Sequence, residues 1–283
     1  MPGNSERNDP IVQLQYLGTA GWHLSVEGCG LLFDPYFTRV PLRRLAFGRI
    51  APSPAAVQRH TPPAGWVVVS HAHFDHLLDV PEVARMSGAT VYAPRQSCEL
   101  LGVLGVPPEQ VCAIVPGDQL PLGPFAVEVY EVPHRVILGR VPAQGPLRAG
   151  LRPPLRARDY RFRELFSFRV EVGGMQVLIA SGIEREPPVP AGVLLVGADA
   201  SREQLSRILE ATQPRLVLPN HFDDMFRPLS KPARPSLHPL PGLALPRRLD
   251  LGAWASLVSR LASRARVLIP ERFTAYDLGE LLR

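Results

Sequence analysis

The sequence predicts a four-layer αβ/βα sandwich, an α/β fold in which two mixed sheets face each other and carry helices on their outer sides. Three observations predict it. Short strands followed by strand–helix alternation occur twice, once before and once after about residue 165. At 283 residues, 46% of them hydrophobic, the chain can bury a large core. Finally, the apolar run Trp66-Val67-Val68-Val69 leads through Ser70 into His71-Ala72-His73-Phe74-Asp75-His76. A buried strand thus delivers three imidazoles and a carboxylate to a sheet edge, where sites are usually built.

The elements follow in order. Residues 11–17, 22–27 and 30–34 read as a meander of short strands broken at Gly18, Gly21 and Gly28. Residues 38–63, rich in Pro, Arg and small side chains, read as a long surface loop. After the Val67–Val69 strand, Leu77 to Met86 predicts a helix closed by Gly88. A strand over Thr90–Ala93, a helix from Ser97 to Leu104, and strands over Val111–Val115 and Phe125–Val132 come next. The last of these runs into Pro133-His134.

In the second half, Phe166–Val172 and Met175–Ala180 pair as a hairpin across Gly173-Gly174. Val193–Val196 is a strand, and Ser201 caps a helix reaching Ala211. The strand Arg215–Leu218 delivers Pro219-Asn220-His221. A proline-rich loop over 226–249, a helix from Gly252 to Ser263 and a strand Val267–Ile269 complete the chain. All of 1–283 reads as one domain, with a disordered tail over 1–10.

Composition narrows the function. No apolar run approaches the roughly 18–20 residues of a membrane span, and the polar start lacks a signal core, so a cytoplasmic location is expected. Cys29, Cys98 and Cys112 are scattered, which predicts buried small residues rather than a disulfide framework. The net charge of +5 rests on arginine, since Lys231 is the only lysine. Residues 135–163 hold eight arginines, Arg135 and Arg140 first among them, against one acid, Asp159. Guanidinium takes phosphate or carboxylate in a bidentate fork, so this segment reads as a flexible flap recruiting a small anionic substrate, with a plain solvated loop as the alternative. Nucleic acid is an unlikely partner, because the charge is not gathered into lysine runs or interleaved with aromatics. Self-association stays open, the 226–249 stretch being a candidate partner surface or lid for a homo-oligomer.

The spacing HxHxDH resembles the signature of the metallo-β-lactamase fold superfamily. Gln13-Leu14-Gln15-Tyr16-Leu17-Gly18-Thr19-Ala20-Gly21-Trp22-His23-Leu24 and Leu31-Leu32-Phe33-Asp34-Pro35 resemble its branch of ascorbate-phosphate lactonases and N-acylphosphatidylethanolamine phospholipases. Further matches at His134 and His221 extend the likeness over most of residues 11–225. The resemblance implies that His71, His73 and His134 hold one metal and Asp75, His76 and His221 a second. Zinc is implied, as one or two ions, with Mn or Fe also suited to such donors.

One residue departs from the family pattern. Ser181 stands where most dinuclear members place a bridging aspartate, and Glu184, Asp199, Asp223 and Asp224 are candidates to compensate. Asp34 could instead fix a ligand imidazole from behind. His23 could face either the site or the core, whereas His60 and His238 read as solvated.

The implied function is a metal-dependent hydrolase directing a metal-bound hydroxide at a small anionic ester, lactone or phosphodiester. With one metal, Asp75 would orient or deprotonate the water and His221 would hydrogen-bond the oxyanion; with two, Asp75 would be a ligand of the second. The alternatives are a nuclease or cyclic-nucleotide phosphodiesterase, or a non-catalytic metal-binding descendant suggested by Ser181.

Overall fold

The computed structural model describes residues 10–136, 139–182, 185–238 and 247–283. The tail expected over 1–10 therefore lies, apart from Pro10, outside the described residues, as does Glu184.

Two seven-stranded mixed sheets face each other. The first holds β1 (Val12–Gly18), β2 (Gly21–Val26), β3 (Cys29–Phe33), β4 (Trp66–Val68), β5 (Thr90–Pro94) and β6 (Val111–Ile114). The second holds β7 (Gln119–Leu122), β8 (Phe125–Glu131), β9 (Phe166–Val172), β10 (Met175–Ile179), β11 (Val193–Gly197) and β12 (Leu216–Asn220). A two-stranded ribbon pairs β13 (Leu237–His238) with β14 (Arg247–Arg248). Then β15 (Arg266–Val267) joins the second sheet beside β12, and β16 (Ala275–Asp277) returns to the first beside β1. The helices are α1 (Leu42–Phe47), α2 (Pro54–His60), α3 (Phe74–Leu77), α4 (Val80–Ser87), α5 (Arg95–Val103), α6 (Arg202–Thr212), α7 (Leu251–Leu261) and α8 (Leu278–Leu281).

Strand alternation separates two cores. Leu14 and Tyr16 of β1, Leu31 and Phe33 of β3 and Val68 of β4 point between the sheets, against Phe125, Phe168 and Val193. That core continues under α6 and α7 through Leu205, Ile208, Trp254 and Val258. The intervening residues Leu32, Val67 and Val69 face outward, under Val57 of α2, Val83 of α4 and Leu100 of α5.

Several expectations are corrected. Residues 38–63 are not one loop. Ser53 accepts a hydrogen bond from the Ala56 amide and Pro54 occupies the first turn, which starts α2. The helix expected over 77–86 is two helices, α3 and α4. Pro81 lacks an N–H and its ring would collide with the Leu77 carbonyl, so a helix begun at Phe74 cannot run through it. Gly88, at φ +70°, does close α4. Within the proline-rich 226–249 stretch Leu237–His238 and Arg247–Arg248 pair as the β13–β14 ribbon. The three cysteines are half-buried rather than buried. The 135–163 segment is pinned: Ile50 bridges to Leu155, Gln144 bridges to Phe162, and Leu155, Tyr160 and Phe162 are buried.

Candidate metal centre

The residues singled out from the sequence lie just past the C-terminal ends of strands. Asp34 follows β3, the hexapeptide follows β4, His134 follows β8, Ser181 follows β10, Asp199 follows β11 and His221 follows β12. β3 and β4 run parallel, and so do β10, β11 and β12. β8 shares their direction, because it and β10 both pair antiparallel with β9. The loops of both sheets therefore meet at one edge, where α/β sheets place ligands. His73 stays extended at φ −62°, ψ 149°, which turns it to the same side as His71.

Hydrogen bonds fix the tautomers of the first group. Nε2 of His73 lies 2.9 Å from the Pro142 carbonyl. A carbonyl only accepts, so Nε2 carries the hydrogen and Nδ1 presents a lone pair. That Nδ1 faces Nε2 of His71 at 2.9 Å. Ser70 donates its hydroxyl to Asp34 at 2.6 Å and lies 3.0 Å from Nδ1 of His71, so His71 donates there and its Nε2 is also bare. His134 donates from Nδ1 to the Arg135 carbonyl at 2.8 Å, which leaves its Nε2 bare. One donor atom from each of the three rings lies within 4.8 Å of the others. Two imidazole lone pairs 2.9 Å apart repel each other, and a cation between them turns that repulsion into binding. Burial pushes the pKa of all three rings down, to about 4 for His73, so they are neutral at pH 7.

The second group is Asp75, His76 and His221. His76 donates from Nδ1 to Asp34 at 2.8 Å, and Asp34 also accepts from the Ser70 amide at 2.7 Å. Nε2 of His76 lies 3.7 Å from the Asp75 carboxylate, and Nε2 of His221 lies 3.0 Å from it. Burial would raise the Asp75 pKa, but His76 and His221 outweigh it and hold the carboxyl well below its usual range. Burial likewise opposes protonation of His76, and Asp34 and Asp75 overcome it. The imidazole and carboxylate donors of the two groups fit zinc, manganese or iron. All six line one cavity of about 240 Å³, with Arg135, Ser181, Asp199 and Met225 also in its wall.

The model of the Beta-lactamase superfamily domain matches residues 30–153. A UPF0173 metal-dependent hydrolase of Opitutus terrae is 27% identical over 75% of this chain and 85% of its own length. Another, from Carboxydothermus hydrogenoformans, is 28% identical over 47% of this chain, and the match spans about half of that relative, 52%. Among solved structures, the metallo-beta-lactamase fold protein YhfI from Bacillus subtilis superposes with a TM-score of 0.60 at 15% identity, covering 95% of this chain and 99% of its own. The chain has the metallo-β-lactamase fold.

Within the metallo-β-lactamase frame the carboxylate expected after β10 is Ser181, and it does line the cavity. Of the candidates to compensate, Asp199 also lines the cavity and is ion-paired with Arg135. Asp223 and Asp224 do not. Asp223 is engaged by Arg39 at 3.2 Å and by the Thr19 amide at 2.6 Å, and Asp224 by Arg234 at 2.6 Å. Arg135 reaches the cavity, while Arg140 is exposed and lies outside its lining. His23 faces away from the site, buried and 3.1 Å from the Pro63 carbonyl. His60 is not simply solvated, because it stacks on Phe273 at 4.8 Å. The side chain of His238 lies outside the described part.

Sequence reasoning missed four supports of this pocket. Ser70 and Pro142 set the imidazole tautomers, as described above. The Phe162 ring packs against His71, His73 and His134 with centroids 4.7–5.1 Å away. Asp79 is fully buried and accepts from the Phe37 and Thr38 amides at 2.5 and 2.7 Å, anchoring the α3–α4 junction. A carboxylate amid Leu77-Leu78 and Val80 was the available signal for it.

Proposed function

We propose that this chain is a metal-dependent hydrolase acting on a small anionic ester, lactone or phosphodiester. In this reading His71, His73 and His134 hold one ion, and Asp75, His76 and His221 hold a second. Zinc is the first choice, and manganese or iron is compatible with the same donors. The observation that carries the proposal is the lone-pair convergence, with bare nitrogens of His71 and His73 facing each other at 2.9 Å. The names of the Opitutus and Carboxydothermus relatives support the same activity.

When bound, the ions supply a water acidified to a pKa of about 7 and a Lewis acid for the substrate oxygen. The chain's own groups do the rest. With the second site filled Asp75 would serve as a ligand there; with it empty Asp75, held ionised, would accept a hydrogen of the attacking water and aim its lone pair at the electrophilic carbon or phosphorus. Where only the first site is filled, His221 donates from Nε2 to the oxyanion that develops. Arg135, in the cavity wall beside Asp199, pairs with the substrate anion. Phe162 shields the three imidazoles of the first group on one side and limits water there.

A second reading is favoured by one observation. Ser181 adds no charge between the two groups, which suits a protein that binds metal without turnover. Two measurements test both readings. Protein purified without chelator should carry about one or two ions per chain by elemental analysis, and should hydrolyse bis-p-nitrophenyl phosphate or a lactone. His71→Ala should lose the first ion and the turnover together. Full metal content in that variant would remove the ligand assignment, and a loaded but inert wild type would favour the second reading.

A further inference from the structure

Two stretches of chain meet beside the cavity to form one cationic face. Residues 38–63 hold five arginines and no acid, Arg39 being buried against Asp223, and residues 140–163 hold seven arginines and Asp159 alone, which is buried. The Ile50 amide donates to the Leu155 carbonyl at 2.7 Å. The Arg49 guanidinium donates to the Arg152 and Pro154 carbonyls at 3.3 and 2.7 Å. The two stretches are therefore stitched together beside α1, and the face they form carries no exposed carboxylate from either.

Helix α1 has no buried residue. Phe47 is 85% exposed and Leu42 is 61% exposed. At about 100° per residue, Phe47 falls between Arg43 and Arg44 on the helix circumference, so an uncovered ring sits within the arginine face. Packing inside the chain does not account for these side chains. Among the described residues, Arg43, Arg44 and Arg152 have no carboxylate partner.

We propose that this face docks on an anionic phospholipid bilayer, with Phe47 entering the headgroup layer and the surrounding arginines binding lipid phosphates. An exposed apolar ring flanked by cations suits the boundary between headgroups and acyl chains. Guanidinium suits the phosphate diester of a headgroup through its fork. Single-stranded nucleic acid is the poorer occupant, because it stacks successive bases on a series of rings along a groove. Phe47 is the one exposed aromatic side chain among the described residues, and it stands on a short projecting helix. The inference does not depend on the hydrolase reading.

Sedimentation with vesicles tests it. The full chain should pellet with vesicles of phosphatidylglycerol and phosphatidylcholine, stay in solution with phosphatidylcholine alone, and be released by high salt. Phe47→Ser should weaken the partition about tenfold, and Arg43→Glu with Arg44→Glu should abolish it. Neither change touches a buried residue, so thermal melting and metal content should match the wild type. Failure of the wild type to pellet with anionic vesicles overturns the proposal. So does Phe47→Ser binding as well as wild type, which would mark a nonspecific charge effect. Tighter binding to a short single-stranded DNA, unaffected by Phe47→Ser, would assign the face to nucleic acid instead.

Discussion

Asp34 and His221 adopt backbone conformations that side-chain-bearing residues rarely take, at φ +42° and +49°. Holding a non-glycine residue there costs on the order of 1–3 kcal/mol and persists only where surrounding contacts enforce it. At Asp34 the enforcement is visible, since one carboxylate accepts from the Ser70 amide, the Ser70 hydroxyl and His76. Ser181 is the opposite case, a small neutral residue in the wall of the cavity that both donor groups line. Ser181→Asp is expected to add a shared anionic donor and tighten the second ion at least about tenfold, read by competition with a chelator. Unchanged stoichiometry and affinity would mean that another group, with Asp199 the nearest candidate, already does that work. The six donors were legible in the sequence because imidazoles and carboxylates stood at strand ends in a dense motif. The Pro142 carbonyl was not legible, since every residue has a carbonyl and only the folded path decides where it points.

The elements were legible where a local signal was strong. The Gly173-Gly174 turn pairs β9 with β10, and the Ser201–Gln204 capping box starts α6. The short edge strands β7 and β16 were missed, because Gln119–Leu122 and Ala275–Asp277 have too few residues to show alternation. They are strands because β8 and β1 offer them unpaired backbone groups. The end of β12 carries a tether no pattern announces. The Asn220 side chain accepts from the Trp22 indole at 2.9 Å and from the His221 amide at 2.9 Å, and donates to the Ala180 carbonyl at 3.1 Å. It ties both sheets to the strand end that presents His221. Asn220→Ala should strand the buried indole N–H and lower unfolding stability by about 2–3 kcal/mol in a urea titration. A loss under about 0.5 kcal/mol would show that the tether is dispensable.

At the scale of the whole molecule, the two-sheet architecture was legible from the repeated pattern, but the electrostatics of the interior were not. Glu186 accepts from the Ser167 hydroxyl at 2.7 Å, and its carboxylate also lies against the Gly182 backbone. Burial lifts its pKa from 4.5 to about 8. The unfolded chain releases this proton near 4.5 and the folded chain near 8, so between those pH values the unfolded state binds fewer protons. Stability from this group is complete below the lower value and is lost by about 1.4 kcal/mol per pH unit as pH rises through the window. Glu186→Gln should therefore gain stability relative to wild type from pH 5 to pH 8, measured as the difference between their melting curves. Equal curves would place the carboxylate in a wetter setting. The cavity itself lies on the seam between the sheets, with the hexapeptide contributed by one and His134 and His221 by the other. That seam is filled by interlocking rings such as Phe33 on Phe168 and Trp66 on Phe125. Hinged opening of the two halves would break this packing, so the sheets stay clasped and any adjustment at the cavity falls to side chains of its wall such as Arg135 and Met225.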